Sequence, residues 1–206
     1  MMKSDRIIKC VLGIFCFCCF NVFVQAQNVR VLRSFDSLPL NENKFEVISM
    51  IERELPEFKF KKKYGAETFV DGQREAVKYQ GINYEMITLI FYNGFLYDKQ
   101  LDILYFDVRY SDIAKKEFEN LNKHIKSTHK ILKQMESVSI RLDEQDGQGY
   151  SYYTEKNGDK FVKDVGIIFK RLFDDDGTFG YSIEYSVVDV SKTDYDLDNL
   201  STPGLQ

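Results

Sequence analysis

The chain has 206 residues, with 28 Lys and Arg against 32 Asp and Glu, a net charge of −4, and 15% aromatic residues without a tryptophan. That mild acidity disfavours general nucleic-acid binding, which needs a basic field to neutralise phosphates. All four cysteines (Cys10, Cys16, Cys18, Cys19) fall in one apolar run, so they act there as small hydrophobes, and the rest of the chain carries no disulfide set and no cysteine metal site.

That run is the middle of a three-part leader. "MMKSDRIIK" is short and net positive, Cys10 to Val24 is apolar apart from Asn21, and "VQA" places Val24 and Ala26 at the small-residue positions of a cleavage site. A retained signal anchor is the competing reading, but the run is shorter than the ~20 residues a spanning helix needs. No cysteine stands in the Leu-(Ala/Ser)-(Gly/Ala) context of a lipoprotein signal. Cleavage after Ala26 leaves 180 of the 206 residues and removes three basic residues and one acid, taking the net charge from −4 to −6. The expectation is an exported protein, periplasmic or extracellular, with no membrane span in the mature chain and a core that must hold without disulfides.

Residues 27–42 show no clear period and read as a lead-in. "NKFEVISMIEREL" reads as a helix. Asn43 and Glu46 have capping-box spacing, Phe45, Ile48, Ile51 and Leu55 share one face, and Pro56 stops the run. From Phe58 to Tyr110 the period becomes two. Asp71-Gly72 reads as a turn, and Asn93-Gly94 is a strong hairpin signal. The alternative puts the turn at Asp98-Lys99, with Gly94 in a bulge; the match of "LYD" with the later "LFD" favours this second choice, and the sequence leaves both open.

Ser111 then caps the longest helix. Ala114, Phe118, Leu121, Ile125, Leu132 and Met135 make a stripe over about six turns, which "STH" could bend. A second β region follows, with Val138, Ile140 and Leu142 alternating, "DEQDGQG" as a turn or loop, an Asn157-Gly158 turn, and a closing hairpin at "DDDG". Its last strand points Phe179, Tyr181, Ile183, Tyr185 and Val187 one way, the antiparallel pattern of one buried and one wet face. Residues 191–206 form an acidic, turn-rich tail with the composition of a disordered segment.

The order is helix, strands, hairpin, taken twice: one unit over 43–110 and a second over 111–190. This predicts an α+β fold, antiparallel sheet with helices on one face, built from two tandem helix–β-meander units that a diverged duplication would explain. The arrangement resembles that of secreted tandem helix–hairpin inhibitor and adaptor domains of the β-lactamase-inhibitor protein type.

Catalytic patterns are weak. "STHK" (Ser127 to Lys130) matches Ser-x-x-Lys, but the Ser-Asp-Asn and Lys-Thr-Gly elements of penicillin-interacting enzymes are missing. The two histidines, His124 and His129, stand five apart, about 140° around a helix, where a zinc pair wants three or four. No EF-hand register fits the acids before Gly147 or Gly177; Asp174, Asp175 and Asp176 remain a surface calcium option, though turn chemistry explains them as well. Neither a metal nor another cofactor is expected.

Two segments suit binding. Lys59, Lys61 and Lys63 in "KFKKK" would contact an anionic head group, or protect an edge strand from edge-to-edge pairing. In "GYSYYTEKNGD", Tyr150 and Tyr152 share a face with Tyr153 opposite, so at least one should be exposed; a cross-strand aromatic pair is the plainer explanation. The expected function is a non-catalytic binding module whose partner is a protein or cell-envelope component. The alternative is an exported hydrolase drawing on carboxylates such as Glu52, Glu54, Glu67 and Asp107. A third reading is an envelope component assembling through the lysine-rich edge.

Overall fold

The structure is a computed structural model that describes residues 29–63, 67–72, 83–141, 144–175 and 177–192. The expected leader and the tail from residue 193 lie outside these residues. The chain divides into two compact units after Leu38. In the first, residues 29–37 are helical (α1), with Val31, Phe35 and Leu38 buried. Their spacings of four and three put them on one helical face, a short pattern inside the segment read as lacking an element.

The second unit opens with α2, Lys44–Glu54, capped by Asn43, whose side chain accepts from the Phe45 N–H at 2.9 Å. The reciprocal bond of the expected box is replaced: the Asn43 N–H donates to the Glu42 carboxylate at 2.9 Å. The buried face runs through Val47, Ile51 and Leu55, and Phe45 is 78% exposed, not inward as its spacing suggested. A residue in the first turn points away from the body of the helix, so spacing alone misplaced it.

Among the described residues, eight antiparallel strands follow in one sheet: β1 Phe58–Lys63, β2 Glu67–Gly72, β3 Tyr84–Tyr92, β4 Phe95–Tyr105, β5 Lys133–Arg141, β6 Glu144–Asn157, β7 Lys160–Asp174 and β8 Gly177–Asp189, in the order β1-β2-β3-β4-β8-β7-β6-β5. Two four-stranded meanders therefore meet along the β4–β8 ladder. Their closing hairpins share a geometry. Each has a two-residue connection, and in each the third residue of the returning strand, Tyr97 or Phe179, is the extra residue of a bulge. The first turn is at Asn93-Gly94, with φ of 49° and 83°, so the Asp98-Lys99 choice is overturned: Asp98 lies within β4. Both central residues sit in the left-handed region that a primed hairpin turn requires, and Asn-Gly is the pair that tolerates it.

Two other expected turns are strand. Asp71 and Gly72 end β2, paired with Lys59 and Phe58, and Gln145 to Gly149 belong to β6, which absorbs the polar run with a bulge opposite Ser139 and Ile140. The turns at Asn157-Gly158 and before Gly177 fall where the sequence puts them.

Helix α3, Ser111–Thr128, covers β7 and β8 with Ala114, Leu121 and Ile125 buried. Its N-cap position is Tyr110 and not Ser111, after a 3-10 turn at Val108–Tyr110 held by the Asp107 side chain accepting from the Arg109 N–H. It is shorter than the stripe implied. The Ser127 and Thr128 hydroxyls both donate to the His124 carbonyl oxygen at 2.8 Å, offering the backbone an alternative to another helical turn. Leu132 and Met135 lie beyond that end and are 42% and 43% exposed. The alternation of Val138 and Ile140 holds, but both are more than half exposed because β5 ends the sheet. Helices on one face of an antiparallel sheet make this the α+β class that the sequence predicts.

Candidate functional site

The sheet has two unlike faces. On the helix side, Ile87, Leu101, Ile103, Val165, Ile167, Ile183, Tyr185 and Val187 are buried. On the opposite side, the row Thr88, Gln100, Ser186, Gly166 and Ser151 crosses five strands in register, and each of these residues is partly buried. Apart from Gln100, the side chains of this row are small. The next row sets Asp102 opposite Glu184, then Ile168 and Gly149. Gly149 is required: a Cβ there would overlap the Ile167 carbonyl oxygen, so the backbones come close only because the side chain is missing.

Charge on this face is concentrated near its middle. Asp102 is 5% exposed, and its Oδ1 accepts from Gln100 Nε2 at 2.7 Å. Lys170 Nζ donates to Glu184 Oε1 at 2.6 Å. On the same strand as Lys170, Asp164 accepts from the Ser151 hydroxyl at 3.3 Å, and burial raises its pKa above the usual carboxylate range. Its other oxygen is buried without a hydrogen-bond partner.

An aromatic corner adjoins these rows. The rings of Tyr153 and Phe161 lie 4.7 Å apart, with Lys133 Nζ 5.8 Å and 5.7 Å from them and Lys156 Nζ 4.6 Å from Phe161. The β6–β7 turn at Gly158 presents this cluster at one end of the sheet. Of the three tyrosines singled out in sequence, Tyr153 stands here and is half-buried.

The other two tyrosines are on the helix side. Tyr152 has no exposed surface, and its hydroxyl donates to Asn122 Oδ1 on α3 at 2.6 Å. Tyr150 stacks against Phe118, 6.5 Å between centroids, under the same helix. Both are therefore packing residues first. Lys59, Lys61 and Lys63 are at the register positions opposite Asp71, Phe69 and Glu67 on β1, an edge strand; their side chains lie outside the described residues.

The acids considered in sequence are not the ones the fold pairs. Glu52 is exposed on α2, Glu54 pairs with Arg53, and Asp107 is taken by Arg109, which holds its carboxyl below the usual range. The side chain of Glu67 lies outside the described residues. Asp102 and Glu184 are brought together instead, and only the β4–β8 register reveals it. Among the described residues no three His, Cys, Asp or Glu side chains group as a metal site, and no helix is long and apolar enough to cross a membrane. Compared with protein-family models, curated proteins and solved structures, the chain matches none.

Proposed function

We propose that the protein is an exported, non-catalytic binding module of the cell envelope, whose open sheet face and its Tyr153–Phe161 corner engage a protein or envelope component. One observation carries this reading: the helices bury one face of the sheet, and the other keeps a partly exposed row, mostly of small side chains, across five strands. A broad shallow surface suits a macromolecular partner better than a small substrate, which wants a concave pocket. Tyrosine beside lysine offers large contact area, a polar handle and little rotamer entropy to lose. The two meanders, with their like hairpins, support descent from one helix–meander unit repeated. The leader supports export.

Two measurements test this. N-terminal sequencing of material recovered outside the cytoplasm should begin at Gln27; a start at Met1 would refute the leader. Ser186→Arg puts a bulky charge into the middle of the open row. It should abolish capture of the envelope partner that the unaltered protein retains, with the fold intact by circular dichroism. Undiminished capture would remove the open face from the reading.

A further inference from the structure

Two carboxyl groups and one lysine meet where the two meanders join. Asp102 on β4 and Glu184 on β8 are directly opposite across the ladder, at a cross-strand separation where like charges are unfavourable. The same offset that carries the first hairpin's Asn93 onto Asp175 carries Asp102 onto Glu184, so the pair occupies equivalent positions in the two meanders. Lys170, on β7, is committed to Glu184. Asp102 has instead the neutral amide of Gln100 on its own strand, and the residue opposite it on β3 is the uncharged Met86.

We infer that the β4–β8 seam is a pH-responsive joint: Asp102 holds a proton opposite the Lys170-paired side chain of Glu184, and its loss to solvent sets two acidic groups against each other on adjacent strands where the meanders meet. The arrangement fixes where the proton resides. Lys170 Nζ is given to Glu184 at 2.6 Å, and Asp102, 5% exposed, accepts from the neutral Gln100 amide and so keeps the proton. Burial pushes the Asp102 carboxyl up to about 7; the Gln100 hydrogen bond opposes the rise, the Glu184 charge adds to it, and Lys170 offsets part.

The sign follows from linkage. The folded state holds the proton more tightly than the unfolded chain, so this contribution to stability is complete below the ordinary carboxylate range. It is lost as pH rises through about 7. Neutral and alkaline media therefore loosen the seam, and mildly acidic media tighten it.

Urea unfolding of the full chain between pH 5 and 8.5 tests this, compared with Asp102→Asn, whose amide still accepts from Gln100. The unfolding constant of the unaltered protein should rise at least about tenfold more across this range than that of the variant. Glu117 and Asp164, also raised by burial, contribute equally to both, so the difference is the readout. Glu184→Gln, which frees Lys170 for Asp102, should move the transition to lower pH. Identical slopes for Asp102→Asn and the unaltered protein would overturn the inference. So would a carboxyl-carbon NMR titration of Asp102 in the unaltered chain with a midpoint near 4, a measurement that needs no variant to fold.

Discussion

The Tyr152 hydroxyl reaches across from β6 to Asn122 on α3 and donates to its side-chain oxygen at 2.6 Å, with the ring wholly buried beneath the helix. This bond ties the second meander's sheet to its helix. Tyr152→Phe should lower stability by about 1 kcal/mol, the net worth of one hydrogen bond. Tyr152→Ala should cost about 3–5 kcal/mol, because it also leaves an aromatic-sized cavity. Urea denaturation measures both. A Tyr152→Ala protein as stable as the parent would mean that the ring does not pack under α3.

Alkaline titration probes the same ring. Burial pushes the Tyr152 hydroxyl up to about 12, with Tyr150 adding to the rise and the Asn122 bond opposing it, and burial also raises Tyr105. Stability from Tyr152 is complete below the ordinary tyrosine value and is lost as pH climbs through about 12. Tyrosinate absorbance should thus include a late stage, from these two rings, that appears only with unfolding. A single early stage would contradict the packing.

Gly149→Ala should destabilise by several kcal/mol, since the added Cβ meets the Ile167 carbonyl and the β6–β7 ladder must shift. Gly94→Ala, where φ is 83° but the space is open, should cost only about 1 kcal/mol of backbone strain. Thermal melts of the two variants should rank in that order. The reverse ranking would place the tight approach elsewhere.

Tyr153→Ala and Phe161→Ala remove one ring each from the open-face corner. Each should weaken capture of the proposed partner at least about tenfold, the loss of an aromatic anchor, while lowering stability by less than Tyr152→Ala does. Lys133→Ala should weaken capture less and make it less sensitive to salt. If Tyr153→Ala leaves capture unchanged, the corner is packing and nothing more.

Period and punctuation made most of the elements legible. The run of Ile183, Tyr185 and Val187 declared its strand and its buried side, and Asn157-Gly158 declared its turn. Where the reading failed, tertiary context decided. Val138 and Ile140 alternate like core residues but stand beyond the cover of α3, which no local pattern reveals. Leu132 and Met135 continued a helical stripe that the hydroxyls of Ser127 and Thr128 ended. Asp71-Gly72 and "DEQDGQG" carry turn residues that β2 and β6 absorb through pairing. The candidate site was legible only in part. Tyr153 was in view, but Phe161 and Lys133 join it through pairing between strands, and Asp102 meets Glu184 across 82 residues of sequence.

In the proposed function, recognition happens on the sheet face away from the helices. Photo-crosslinking side chains at Ser151 and Ser186, compared with Lys116 and Glu119 on the exposed side of α3, would test it in intact cells. A discrete adduct formed from the two sheet positions and absent from the two helix positions is the predicted result. Adducts from α3 alone, or the same diffuse pattern from all four, would contradict it.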